Sequence, residues 1–128
     1  MRRQARKSVD RTRYREYQNV AEHFSDAARL AMDGDYWTAA GVLIVHSAIA
    51  YCDAVAIKMS GQKSAGKNHE DAIVLLKGLI ANGDQKTKAI NQLSRIIEEK
   101  TRVSYMGGVN VKSCVNFFSS GFPSLEVL

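Results

Sequence analysis

The longest apolar run in the chain, residues 41–57, is broken only by His46 and Asp53 among strongly polar side chains. It is about the shortest stretch that could span a bilayer. Ionisable groups inside a span are costly, so the run reads instead as a buried core helix, about residues 36–59. A helix that is apolar almost all round must be covered on several sides, by other helices or by a second subunit. Whatever else the chain forms is therefore arranged to cover it. With 128 residues, there is room for one domain. A domain of that size buries roughly 65–70% of its unfolded surface and needs neither metal nor disulfide to stay folded.

Four further segments carry helical periodicity. In residues 10–32, Tyr14, Tyr17, Ala21, Phe24, Ala28 and Ala31 form one apolar stripe opposite a charged face. Asp33-Gly34-Asp35 ends that segment. Gly34 is expected in the left-handed position and Asp35 as the cap of the next helix. A polar, glycine-containing connector at 60–67 leads to a third helix from Asn68, with Ile73, Leu76, Leu79 and Ile80 on its apolar face and Leu75 at the edge. A fourth is expected over 85–106 and a short fifth over 110–119. Short turns favour antiparallel neighbours, so the sequence predicts an all-α fold, an up-and-down bundle of four to five helices. The expected divisions are a basic flexible arm (1–9), the bundle (10–120) and an irregular tail (121–128).

The formal net charge is +5, and it is unevenly placed. Residues 1–15 hold Arg2, Arg3, Arg6, Lys7, Arg11, Arg13 and Arg15 against Asp10. Such an arm can contact phosphates by releasing counterions, or can be a solvated terminus. Arg2, Arg3, Arg6 and Lys7 are the candidate nucleic-acid contacts. The basic start is not followed by an apolar segment of a secretory signal, and the expected location is the cytoplasm. Cys52 and Cys114 lack the spacing of a metal or redox motif and read as free thiols.

The second and third helices carry a family resemblance. Tyr36-Trp37-Thr38-Ala39-Ala40 leads into Val45-His46-Ser47-Ala48-Ile49-Ala50-Tyr51-Cys52-Asp53-Ala54. After the connector comes Asn68-His69-Glu70-Asp71-Ala72-Ile73-Val74-Leu75-Leu76. The small residues with a central A-x-x-x-x-D-A-like pattern, the histidine opening the next helix, and the ending Lys100-Thr101-Arg102-Val103-Ser104-Tyr105 resemble the HEPN family. The resemblance spans roughly 12–119. It implies a helical bundle, usually a homodimer. Some members are RNases that use an arginine and, after four to six intervening residues, a histidine. Others accompany small nucleotidyltransferases in toxin–antitoxin modules, and nucleotide binding is a further role it implies.

That RNase pair is missing here. None of His23, His46 and His69 has an arginine five to seven positions before it, and positions 107–109 after Arg102 are Gly, Gly and Val. His46 and Asp53, seven residues apart, share one helical stripe but lie about 10 Å apart along the axis. They cannot form a hydrogen-bonded acid–base dyad, and each can equally satisfy a polar partner inside the bundle. His69, at a helix start, suits an anion, helped by Lys63 and Lys67 nearby, or an exposed first turn. Arg102 and Tyr105 could join a cleft or simply pack. His46, Asp53, His69, Arg102 and Tyr105 are thus candidate ligand-binding residues, with no catalytic residue, cofactor or metal ligand assigned. The leading reading is a non-catalytic homodimeric binding module, a companion of a nucleotidyltransferase or a binder of nucleotide or RNA. The alternatives are an RNase with a non-standard site across the dimer and a nucleic-acid-binding accessory protein that uses the arm.

Overall fold

A computed structural model of the chain describes residues 6–65 and 70–79, with residues 91 and 94 as isolated helical positions. The described residues are mostly helical. Their order is a strand β1 (Arg6–Ser8), a single 3₁₀ turn (Arg11–Arg13), α1 (Tyr14–Asp33), α2 (Trp37–Ser60), β2 (Gln62–Ser64) and α3 (Glu70–Leu79). Apart from the helical positions Asn91 and Ser94, the expected fourth helix lies outside the described residues, as do the fifth and the tail.

α2 is the centre. Ile44, Val45, Ala48, Cys52, Ala54, Val55 and Ile57 are buried along it, on every side. Each large aliphatic side chain removed from water in this way contributes roughly 1.5–3 kcal/mol. By length and composition α2 could cross a membrane, yet two-thirds of its most apolar stretch is covered inside the domain (67%). α1 runs antiparallel to it. Tyr14 lies under the Lys58 ammonium, the Ser47 hydroxyl donates to the Ala21 carbonyl at 2.6 Å, and Phe24 stacks on His46. A side chain can reach the main chain of a neighbouring helix only where the two approach closely. The buried residues of α1 at this seam, Ala21, Ser25 and Ala28, are small enough to allow it. The expected stripe holds, with Ser25 as an addition that hydrophobicity did not mark. From α3, Ile73 and Leu75 are buried, so Leu75 is a core residue rather than an edge one.

The turn between α1 and α2 differs from expectation in a specific way. Gly34 has an ordinary φ of −89°, and Asp35 takes the left-handed φ of 63°. The Asp35 N–H donates to the Met32 carbonyl and the Tyr36 N–H to the Ala31 carbonyl, the paired bonds of a Schellman ending. A Cβ at Gly34 would lie 3.0 Å from the exposed Tyr36 ring, close enough that the ring would have to shift slightly. Asp35 gives α2 no side-chain cap, because Tyr36 occupies that position.

At the other end the expected flexible arm and polar connector are joined. β1 and β2 pair antiparallel, with Arg6 opposite Ser64, Lys7 opposite Lys63 and Ser8 opposite Gln62. Neither strand shows apolar alternation, which is why periodicity missed them. What builds the ribbon is Gly61. With φ at 69° it closes α2, its N–H donating to the Ile57 carbonyl, and its own carbonyl accepts the Val9 N–H at 2.8 Å. Val9 is thereby drawn into the core. Asp10 accepts from the Thr12 N–H and hydroxyl, opening the 3₁₀ turn, so α1 begins at Tyr14 rather than near residue 10.

The two left-handed positions predict substitutions of opposite sign. Gly61→Ala places a Cβ 3.3 Å from the Val9 carbonyl oxygen in a strained backbone, and should cost about 1–2 kcal/mol in urea unfolding. Asp35→Gly removes strain at an exposed turn and should gain about 0.5–1 kcal/mol. A destabilised Asp35→Gly protein would show that the aspartate side chain contributes more than its backbone costs.

Candidate functional site

Of the five candidate ligand residues, two are described. His69, Arg102 and Tyr105 lie outside the described residues, as do Arg2 and Arg3. His46 and Asp53 sit on α2 but face different surroundings. His46 is exposed, its ring stacked on Phe24 with centroids 5.5 Å apart. Its partner is thus an aromatic face from α1 and not the carboxylate one helical stripe away. Asp53 is mostly buried and meets Lys63 of β2, Oδ2 to Nζ 3.7 Å. The same ammonium lies over the Tyr17 ring, 5.3 Å from its centroid. Asp53, Lys63 and Tyr17 therefore form one polar cluster where α1, α2 and the ribbon meet.

Burial dominates the electrostatics of this cluster. Desolvation raises the Asp53 carboxyl to about 6, and the nearby Lys63 charge offsets only part of the rise. Desolvation also pushes up the neighbouring Tyr51 phenol and Cys52 thiol, which keeps both neutral. Cys52 is a free, buried thiol shielded from reaction. A carboxyl that titrates near neutrality is a reasonable acid–base group. Here the ionisable group that meets it among the described residues is the Lys63 ammonium, and His46 is directed to Phe24 instead. Among the described residues, no three His, Cys, Asp or Glu side chains gather to hold a metal ion.

Around the cluster the charge is positive. Arg6 and Lys7 are exposed on β1, and Lys63 stands directly across from Lys7. Arg11 donates from Nε to the Lys58 carbonyl at 2.9 Å, which places a guanidinium at the C-terminal end of α2. That is the favourable end of the helix dipole for a cation. Lys58 itself lies over the Tyr14 ring at 5.2 Å. Among the described side chains, three acids share this end: Asp10 accepts from Thr12, Glu16 pairs with Arg13 at 2.6 Å, and Asp53 pairs with Lys63. Sequence reasoning marked Arg6, Lys7 and Arg11 in the basic arm and Lys63 as a cation near His69, but did not bring Lys63 to the arm and read Tyr17 only as part of the apolar stripe. Only the ribbon pairing, invisible to periodicity, brings Lys63 beside the arm.

No family model, curated protein or solved structure matches the chain. The site therefore has to be read from its own geometry.

Asp53 gives a pH dependence whose sign follows from its raised value. The folded protein holds this proton more tightly than the unfolded chain does, whose carboxyl titrates near 3.8. The contribution is fully present below about pH 4 and is lost as pH rises through about 6. Its full size is on the order of 2–3 kcal/mol. Asp53→Asn should flatten this dependence and stabilise the protein at neutral pH by up to about 2–3 kcal/mol, the Lys63 pairing being already contained in the raised value. Urea titrations at the two pH limits measure it. A variant less stable than the parent at neutral pH would show that the ion pair outweighs desolvation.

Proposed function

We propose that the chain is a non-catalytic, HEPN-like helical binding module, cytoplasmic and homodimeric. Its ligand is a nucleotide or RNA, or its partner is a small nucleotidyltransferase in a toxin–antitoxin-type pair. The observation that carries the choice of binding over catalysis is the separation of the two chemical groups on α2. His46 stacks on Phe24 and Asp53 pairs with Lys63, so neither orients the other. General acid–base chemistry needs such groups within hydrogen-bond reach of one reacting centre. The absence from the sequence of the arginine–histidine spacing used by RNase members of the resembled family points the same way.

Support for self-association comes from the far end of the bundle. Leu30 is 72% exposed and Tyr36 70% exposed, and Trp37 adjoins them at the α1–α2 turn. Large apolar side chains grouped at a surface are a usual feature of a subunit interface.

Two measurements test the reading. Light scattering of the full chain at micromolar concentration should give the mass of a dimer, and a stable monomer would count against the assembly. Incubation with RNA should leave the strand intact for the wild type, His46→Ala and His69→Ala alike. Cleavage by the wild type that either substitution abolishes would replace the binding module with an RNase built across two chains.

A further inference from the structure

We propose that the β1–β2 ribbon and the adjoining end of α2 form a binding site for the phosphodiester backbone of a nucleic acid, with Arg6, Lys7, Arg11 and Lys63 as the phosphate partners. The site presupposes that the chain is a binding module, and it names the ligand class and the surface.

The first argument is repulsion. Lys7 and Lys63 are cross-strand partners in the ribbon register, which puts their Cα atoms about 5 Å apart. Like charges directly opposite one another weaken a strand pair. Asp53 offsets part of that repulsion by pairing with Lys63, and a phosphate held between the two ammonium groups turns the remainder into an attraction. Lys63 keeps its place through Asp53 and the Tyr17 ring, so its charge is held at a fixed position. Arg11 is held likewise by the Lys58 carbonyl through Nε, one of its five N–H donors.

The second argument is charge complementarity. Among the described side chains at this end, Arg6, Lys7, Arg11, Arg13, Lys58 and Lys63 outnumber Asp10, Glu16 and Asp53, and Arg6 and Lys7 are exposed. The third is what this end lacks. Protein interfaces draw most of their energy from aromatic or apolar anchors, and peripheral membrane binding needs apolar side chains to insert. Among the described residues the large exposed apolar side chains are Val20, Leu30, Tyr36, Trp37 and Val74, none of them in the ribbon or the 3₁₀ turn. Val9, the apolar residue beside the ribbon, is buried. A surface of fixed positive charge without apolar anchors suits a polyanion whose binding is driven by counterion release.

The test is fluorescence anisotropy of a labelled oligouridine with the full chain across a salt series. Four phosphate contacts to a single strand give a log–log salt slope of about −3, so affinity should fall about 50-fold from about 50 to about 200 mM salt. The Arg6→Glu/Lys7→Glu double variant should weaken binding at least about tenfold and roughly halve the slope. Arg29→Glu, at the other end of α1, serves as a charge-reversal control carrying half the double variant's change in charge and should stay within about twofold, with circular dichroism confirming that each variant folds. A labelled oligothymidine, run alongside, tells RNA from DNA as the source of the shared phosphodiester chemistry. Equal binding by the double variant would place nucleic acid elsewhere and overturn the ribbon site, while the binding-module reading stands. Binding to phosphatidylserine vesicles or to an acidic peptide with none to either oligonucleotide would overturn it too. Cleavage of the oligouridine, by contrast, counts against the non-catalytic reading and leaves the ribbon contacts to be judged by the charge reversals.

Discussion

The dehydration of α2 sets the terms for every other element. Its side chains are apolar around the whole circumference, so a single neighbouring helix cannot cover it. α1 covers one side with a seam of Ala21, Ser25 and Ala28, where small residues let the two backbones approach closely enough for Ser47 to bond the Ala21 carbonyl. α3 brings Ile73 and Leu75 to another. Val9 is drawn in beside the ribbon. Asp53 lies on this same dry helix, and the cost of charging it there is what raises its carboxyl toward neutrality. Packing and electrostatics at the site are thus two effects of one burial.

How much of this was legible in the residues depended on the length scale of each signal. Burial of α2 and the stripe on α1 were legible because they repeat over many turns, so that single exceptions such as Ser25 hardly weaken them. The ribbon was not. Strands as short as Arg6–Ser8 and Gln62–Ser64 leave too few positions for alternation, and all six side chains are polar. Their pairing is decided by Gly61, whose left-handed turn sends the chain back and presents its carbonyl to Val9. The exchange of roles between Gly34 and Asp35 has a similar origin. Glycine is the usual residue for positive φ, but aspartate tolerates the left-handed conformation better than most residues, so sequence preference alone does not fix which of the two takes it.

The candidate residues divided along the same line. His46 and Asp53 stood out in the sequence because they interrupt an apolar run, and both have definite roles on α2. Their roles are unlike, because seven residues on a helix separate them by about 10 Å, far enough for one to meet an aromatic ring and the other an ammonium. Lys63 was legible only as a cation near His69, and Tyr17 only as part of the apolar stripe. A lysine in a polar connector and a tyrosine on an apolar stripe are ordinary residues until the ribbon places one over the other.

Lys63 is where stability and binding are in tension. It faces a like charge across the ribbon in Lys7, a repulsion of about 0.2–1 kcal/mol in a strand pair. It also faces a carboxylate whose own desolvation costs more than the ion pair returns, as the raised Asp53 value shows. Replacing Lys7 by threonine and Asp53 by asparagine would relieve both and give a more stable domain. The ribbon would then lose one exposed charge, and Lys63 would lose the counter-ion that fixes its position. The existing pairs are better explained as the means of holding positive charge in a set place than as contributions to folding. In an ionised Asp53 the site carries a partial internal neutraliser, and protonation of that carboxyl toward pH 6 and below leaves the ribbon one charge more positive. Attraction for a polyanion at this end should therefore strengthen over the same pH interval in which the fold is relieved of a buried charge.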